Sequence, residues 1–218
     1  MNYYSEKDIR DIVAGVVAQC AANPAAPQKE QPILLEVSAR HVHLTTQAVE
    51  ALFGKGYTLT KKRDLSQPGE FLSEERVKIV TPKGEIANVA VLGPERKAVQ
   101  AEISLTDARV LGLNVPVNLS GHLEGAADAL LIGPAGFYEA KGSVIVARTH
   151  IHLTPEAARE FGVHDGQKVR VKVVSDRHLT FDQVPVRVNA SFAPAMHIDF
   201  DEANACACGK DTKAYILG

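Results

Sequence analysis

The 218-residue sequence predicts a mainly β fold with short helices, built as two small tandem β-barrels capped by helices, plus an amphipathic N-terminal helix. Three observations predict this class. From position 33 onward, short apolar segments alternate with Gly and Pro, which is typical of strands in small closed barrels. The helical patterns between them span only about two turns, shorter than the crossover helices that join parallel strands. A strand-and-helix unit also recurs along the chain, which indicates two similar halves.

The first 20 residues predict an amphipathic helix. Ile9, Ile12 and Val13 recur at helical spacing, and charged side chains take the opposite side. Residues 21–32 are small, polar and rich in proline, and they predict a linker. One alternative is a helix docked on its own domain. The linker favours a detachable helix that binds a groove on a partner or assembles with copies of itself.

We expect the first barrel domain to span residues 33–140 and the second to span 141–218, with an approximate boundary across which strands can be exchanged. The predicted strands of the first are 33–37, 57–60, 77–81, 86–92, 99–103 and 115–119, and those of the second are 129–132, 144–147, 169–174, 184–188 and 196–199. The strand at 129–132 opens the second series although it precedes position 141, which is why the boundary is approximate.

A His-x-His pair occurs twice, as His41 with His43 and as His150 with His152. Side chains alternate faces in an extended strand, so two histidines separated by one residue point the same way and can bind one ion. Each pair is followed by a threonine N-cap, a short helix and a glycine stop. The caps and stops are Thr45 and Gly54 in the first copy and Thr154 and Gly162 in the second.

A third, degenerate copy of this unit lies between the two pairs. When the copies are aligned on Leu-Thr and the terminal glycine, Glu102 falls where His41 and His150 fall, and Ser104 falls where the second histidines fall. Carboxylate oxygen is an accepted partner of imidazole at zinc. His197 follows an apparent turn and starts a short strand, so it can complete the second set.

The predicted ligands are His41, His43 and Glu102 for one zinc ion and His150, His152 and His197 for a second. Three protein ligands for each ion leave an open position, which is typical of catalytic rather than structural zinc sites. Three other histidines have no partner at ligand spacing and are expected in loops or on the surface: His122, His164 and His178.

Charge and cysteine content exclude several function classes. The net charge of -2 and the lack of a dense basic face argue against nucleic acid as a partner. Cys20, Cys206 and Cys208 do not indicate a disulfide framework, and we interpret the last two as free thiols rather than as a metal site. Without a secretory or membrane-spanning segment, we expect a soluble cytoplasmic protein that does not bind membranes.

Five motifs, from about position 32 to the C-terminus, resemble the PduL-type phosphate propanoyltransferases, the phosphotransacylases of bacterial microcompartments. The motifs are VSARHVHL at 37–44, LGPER at 92–96, QAEIS at 100–104, ARTHIHLT at 147–154 and HIDFDEANA at 197–205. The resemblance implies paired small β-barrels, a dinuclear zinc site on the same six ligands, and an arginine that holds phosphate, which matches Arg96. It also implies that residues 1–20 are an encapsulation tag that binds shell or core proteins of a microcompartment.

The resemblance implies a phosphate acyltransferase that converts acyl-CoA and phosphate into acyl phosphate and CoA, in either direction, in a homo-oligomer inside a bacterial microcompartment. Arg96 would then act in both phosphate binding and catalysis. Two alternatives stay open from the residues alone: a zinc-dependent hydrolase and a metal-stabilised assembly component without catalytic activity. The acyl group, whether propanoyl, acetyl or lactoyl, cannot be read from the sequence.

Overall fold

The computed structural model describes residues 5–22 and 31–217 of the chain. The chain divides into two units, residues 1–30 and residues 31–218. In the described part, no helix is both long enough and apolar enough to span a bilayer.

The first unit contains helix α1 (Glu6–Ala22). The Ser5 hydroxyl accepts from the Asp8 N–H, and the Asp8 carboxylate accepts from the Ser5 N–H, so the two residues cap the helix reciprocally. Of the helix predicted for residues 1–20, the part from Glu6 onward is present, and the helix runs two residues into the segment predicted as a linker; residues 1–4 lie outside the described residues. Residues 23–30 of that linker lie outside the described residues.

The second unit is mainly β, as predicted. Its strands, in chain order, are β1 (Leu35–Ser38), β2 (His41–His43), β3 (Lys61–Asp64), β4 (Phe71–Thr81), β5 (Gly84–Gly93), β6 (Gln100–Ile103), β7 (Val117–Asn118), β8 (Ala127–Ile132), β9 (Phe137–Ala147), β10 (His150–Leu153), β11 (Lys168–Val174), β12 (Leu179–Val188), β13 (Ala195–Asp199) and β14 (Lys213–Leu217).

An eight-stranded sheet forms the first half of this unit, in the order β3-β4-β5-β2-β6-β9-β7. Strand β8 pairs with both β4 and β9, and these pairings close six of the strands into a barrel. Buried side chains such as Val42, Ile79 and Leu131 fill its interior. Strand β2, which carries the first histidine pair, lies between β5 and β6 at the centre of the sheet.

The second half is a curled six-stranded sheet in the order β1-β13-β10-β12-β11-β14. The Ile33 N–H donates to the Ala214 carbonyl at 2.8 Å, so the chain before β1 reaches β14 at the far edge. Strand β1 pairs in parallel with β13 although it precedes every strand of the first sheet. This is a strand exchanged between the halves, and it brings residues 35–38 beside His197.

Short helices follow the strands that carry the candidate ligands. They are α2 (Thr46–Phe53), α3 (Leu105–Val110), α4 (Pro155–Phe161) and α5 (Phe200–Ala205). The predicted threonine caps are confirmed, because Thr45 accepts from Ala48 N–H and Thr154 accepts from Ala157 N–H. Gly162 ends α4 with φ 66°, a left-handed conformation that favours glycine.

The predicted strand at 57–60 is wrong, and β3 begins only at Lys61. The Glu75 carboxylate accepts hydrogen bonds from the Tyr57 hydroxyl and the Thr60 N–H, so side-chain contacts hold part of this segment instead of a strand ladder. All four residues of β3 are charged and exposed, as residues of edge strands often are, so the segment lacks the alternation that predicts a strand.

Candidate metal centre

Two sets of side chains converge in the second unit, and within each set the potential ligand atoms lie within 4.8 Å of one another. The members are His41, His43 and Glu102 in the first set and His150, His152 and His197 in the second. These are the residues predicted from the sequence.

Both sets have the same construction. A His-x-His strand lies antiparallel to a strand that supplies the third side chain, and the two strands are in register. His41 is opposite Glu102 on β6, and His150 is opposite His197 on β13. Because side chains opposite each other across antiparallel strands are close neighbours, the third member faces the histidine pair.

The helix caps correct the predicted alignment of Glu102. Ser104 is the N-cap of α3, and Asp199 is the N-cap of α5. Glu102 and His197 therefore each lie two residues before a cap, as His43 and His152 do. The structural counterpart of Glu102 is thus His197, and the Leu-Thr alignment that equated it with His41 is two residues out of register.

A second feature of the repeat anchors each histidine strand to a helix cap. The guanidinium of Arg40, just before His41, contacts both carboxylate oxygens of Asp107 at 3.0 Å. The Thr149 hydroxyl, just before His150, donates to the Glu202 carboxylate. Asp107 and Glu202 close the capping boxes of α3 and α5, so the two strands of each set are tied together behind the ligands.

Hydrogen bonds to the backbone fix the ring of the first histidine in each pair. Nδ1 of His41 lies 2.8 Å from the Ala39 carbonyl, and Nδ1 of His150 lies 2.8 Å from the Arg148 carbonyl. When the proton is on Nδ1, the lone pair of Nε2 is free to bind a metal ion. In the first set this Nε2 lies 3.6 Å from Glu102 Oε2.

Burial favours the neutral form of His43, His152 and His197. It lowers the pKa of His43 well below its usual range, with smaller effects from His41 and Arg96. Burial, followed by the neighbouring His150 and other charges, lowers the pKa of His152 to about 3 and that of His197 to about 4. Neutral imidazole is the form that binds a metal ion.

Glu102 is ionised despite its burial. Burial raises its pKa, but the charges of His41, Arg96 and His150 and a hydrogen bond from Ser120 lower it by more, so the net shift is downward. Its Oε1 also accepts from Gln100 Nε2 at 2.5 Å. The first set therefore offers two imidazole nitrogens and one anionic oxygen.

Unsatisfied ring nitrogens show that the two sets suit metal ions. Nδ1 of His43 and both ring nitrogens of His152 are buried and have no hydrogen-bond partner among the described residues. Buried polar atoms without a partner are rare in proteins, and a bound ion or water usually satisfies them. Two neutral imidazoles with a third nitrogen or oxygen are also the donor types of catalytic zinc sites. The residues present fit the predicted ion.

Both sets line one cavity of about 740 Å³. Four arginines also line this cavity: Arg63, Arg76, Arg96 and Arg187. The cavity volume is within the usual range for sites that bind small molecules and cofactors. The carboxylates of Glu36, Glu70 and Glu102 line the same cavity, so the arginines offer an anionic ligand local cationic contacts rather than a uniformly cationic wall.

Arg96, the predicted phosphate ligand, lies in this cavity and is about one third exposed. Its backbone N–H donates to the Leu44 carbonyl at 2.7 Å, which fixes the arginine beside the end of β2. Its guanidinium donates to Glu70 Oε1 at 2.6 Å and to Ser120 Oγ at 3.3 Å.

Two residues that contact the candidate ligands were not predicted from the sequence. Gln100 donates to both Glu102 and Ser120, and it is opposite His43 across the strands. The QAEIS motif contained the signal for Gln100, because a residue two positions from Glu102 shares its face of the strand. Glu36 lies 3.6 Å from Nδ1 of His197, a contact created by the exchanged strand β1.

The remaining histidines and cysteines lie outside the two sets. His122, His164 and His178 are exposed in connections between strands and helices, as predicted. Cys206 is buried and Cys208 is partly buried, and both are free thiols. The side chain of Cys20 is outside the described residues.

Comparison with known proteins identifies relatives along most of the chain. The family model for phosphate propanoyltransferase matches residues 34–209. The phosphate propanoyltransferase of Clostridioides difficile is 51% identical over 190 residues, which cover 87% of this chain and 91% of the relative. Those of Enterococcus faecalis and Thermotoga maritima are each 48% identical, covering 87% of this chain and 90% and 91% of the respective relatives.

The fold, the site and these relatives together define an enzyme of the phosphate acyltransferase class. The chain belongs to the phosphate propanoyltransferase family. The resemblance seen in the five sequence motifs is thereby confirmed.

Proposed function

We propose that the protein interconverts a short-chain acyl-CoA plus phosphate with an acyl phosphate plus CoA at a site that holds two zinc ions. Membership of the phosphate propanoyltransferase family supports the reaction type. The observation that carries the proposal is that both sets of candidate metal ligands and Arg96 line the same cavity.

The ligand roles follow from the two sets. His41, His43 and Glu102 would hold one zinc ion, and His150, His152 and His197 would hold the other. Three protein ligands leave each ion an open position. When bound there, zinc supplies a Lewis acid that can stabilise negative charge on the carbonyl oxygen or on the departing sulfur.

Arg96 positions the phosphate in this proposal. Its guanidinium already holds the Glu70 carboxylate and the Ser120 hydroxyl, so its fork is directed at oxygen atoms within the cavity. Guanidinium geometry suits two oxygens of one phosphate. A phosphate that binds Arg96 would displace the carboxylate of Glu70 or share the fork with it.

The covalent step needs no strong general base. Phosphate is an anion at neutral pH, so one of its oxygens attacks the acyl carbon directly. The new C–O bond forms, the C–S bond breaks, and CoA leaves as a thiolate. The residues of the chain orient the two reactants, and orientation of this kind supplies a large part of many rate enhancements.

Residues 1–20 have a separate role in the proposal, as a tag that binds a shell or core protein of a microcompartment. The supporting observation is the exposed apolar side of α1, on which Ile9, Ile12 and Val13 are each more than half exposed. Residues spaced by three or four positions lie on one face of a helix, and such a face can fit a groove on a partner.

A phosphate titration tests the proposed reaction. CoA release from propanoyl-CoA should depend on phosphate and should yield one acyl phosphate for each CoA. Release that proceeds at the same rate in water without phosphate would identify a zinc-dependent hydrolase instead. A metal-stabilised assembly component without catalytic activity would release no CoA in either condition.

A further inference from the structure

The connection between β3 and β4, residues 65–70, contacts three parts of the cavity wall. The Ser66 hydroxyl donates to Glu36, and the Glu70 carboxylate accepts from Arg96. Gln67 reaches the connection between β12 and β13. Since β3 and β4 belong to the eight-stranded sheet and β12 and β13 belong to the six-stranded sheet, Gln67 joins the two halves at the site.

The Gln67 amide pairs with the backbone of Ala193 in both directions. Its Nε2 donates to the Ala193 carbonyl at 3.0 Å, and its Oε1 accepts from the Ala193 N–H at 3.2 Å. The side chain is buried, with 9% of the residue exposed. A primary amide is the side chain that can donate and accept in this geometry, so neither glutamate nor leucine can replace both bonds.

Phe192, the residue before Ala193, stacks on His152. The ring centroids are 4.1 Å apart and the rings are inclined by 24°. Arg187 lies near the same aromatic ring, with Cζ 5.8 Å from its centroid. The position of the Ala193 backbone therefore determines where the Phe192 ring meets the imidazole.

His152 depends on this stacking contact more than the other histidines do. Neither of its ring nitrogens has a hydrogen-bond partner in the described part of the chain. His150 is fixed by the Arg148 carbonyl, and His197 faces Glu36. Metal-binding histidines usually have their orientation set by a hydrogen bond from the second nitrogen. For His152, ring contacts take that role.

We propose that Gln67 is a positioning residue that acts through Ala193 and Phe192 to hold the His152 imidazole at the angle the second donor set requires. The proposal rests on the proposed function, because that function assigns a zinc ion to this set. Gln67 itself is no ligand in this scheme. Its Nε2 also lies 3.5 Å from Nε2 of His197, a direct contact that the Phe192→Leu substitution does not remove.

A chelator competition on the full-length protein tests the proposal. Zinc would be withdrawn from wild type and from Gln67→Ala, Phe192→Leu and Phe192→Tyr variants, with zinc affinity followed for each ion separately. Loss of an outer contact typically weakens metal affinity by about 10- to 100-fold. We expect this loss for one ion in Gln67→Ala and Phe192→Leu, and near wild-type affinity in Phe192→Tyr, which keeps the stacked ring.

Gln167→Ala is the matched control. Gln167 also bonds a backbone group in a connection, since its Oε1 accepts from the His164 N–H at 3.0 Å, but it does not line the cavity. Its variant should bind both ions as wild type does. Equal weakening of both ions in Gln67→Ala, together with a lower melting temperature, would show that Gln67 is merely structural and would overturn the proposal. Unchanged affinity in Phe192→Leu would overturn it as well.

A metal-free measurement separates this proposal from the proposed function. In chelated protein with labelled histidines, the stacked Phe192 ring should shift the ring-proton resonances of His152. Gln67→Ala should move those resonances toward their positions in Phe192→Leu, and Gln167→Ala should leave them unchanged. A wild-type protein that binds fewer than two ions would defeat the proposed function, and the resonances would then decide the role of Gln67. Resonances of His152 that do not respond to Gln67→Ala would refute that role.

Discussion

Replacement of Arg96 by alanine should weaken phosphate use without removing the metal. Arg96 contributes no donor atom to either set, and its guanidinium contacts Glu70 and Ser120 instead. The Arg96–Glu70 ion pair is about one third exposed, so its loss should cost at most about 1 kcal/mol of folding free energy. The fold and the zinc content should therefore persist.

The effect on phosphate should be much larger than the effect on folding. One charge-assisted hydrogen bond contributes about 1.5–3 kcal/mol, which corresponds to roughly a 10- to 150-fold higher KM for phosphate. The assay is CoA release at saturating propanoyl-CoA over a phosphate titration, with zinc content measured on the same samples. Arg109→Ala, which alters an exposed arginine of α3 outside the cavity, is the matched control.

Two results would refute this reasoning. A KM for phosphate within about twofold of wild type would show that Arg96 makes no hydrogen bond to phosphate, since a single such bond contributes more than that. Loss of zinc in Arg96→Ala would show that the arginine supports the metal centre itself. An equal change in Arg109→Ala would point to a general charge effect.

Further predictions concern metal, pH and assembly. His150→Ala should lose bound zinc and activity together, whereas His122→Ala should retain both in the same metal analysis and CoA-release assay. Mild chelation should abolish activity without loss of the circular dichroism signal of the fold, and added zinc should restore it; unfolding on chelation would indicate a structural metal instead. The pKa values of His152 and His197 are lowered to about 3 and about 4 in the folded protein, so below pH 6.5 the unfolded chain binds more protons than the folded chain does. The urea midpoint of the metal-free protein should therefore fall as the pH drops from 6.5 to 4. An unchanged midpoint would contradict the burial of these two histidines. Deletion of residues 1–32 should leave turnover within about twofold of the full-length protein. The same deletion should abolish co-assembly with a microcompartment shell in a co-expression assay. A truncated protein that fails to fold would show instead that the helix belongs to the core.

The ligand residues could be predicted because their signal is local. Two histidines separated by one residue share a face of a strand whatever the rest of the fold does, and the threonine caps and glycine stops lie within ten positions of them. Glu102 was found for the same reason, beside its own capped helix. Its register was wrong by two residues because Leu105 and Thr106 follow the Ser104 cap, whereas in the two histidine copies the threonine after the leucine is itself the cap.

The surroundings of the ligands could not be predicted in the same way. Gln67 bonds Ala193 across 126 positions, and Glu36 meets His197 only because β1 is exchanged into the second sheet. Neither contact has a periodicity, a cap or a motif that the sequence displays. The edge strands β3 and β14 were missed because tertiary pairing, not an alternating pattern, defines them.

Anomalous diffraction at the zinc edge from crystals of the purified protein tests the central claim most directly. The claim predicts two zinc peaks in one cavity, one bound by His41, His43 and Glu102 and the other bound by His150, His152 and His197. A single peak, or a peak at Cys206 and Cys208 with none at the histidines, would contradict it.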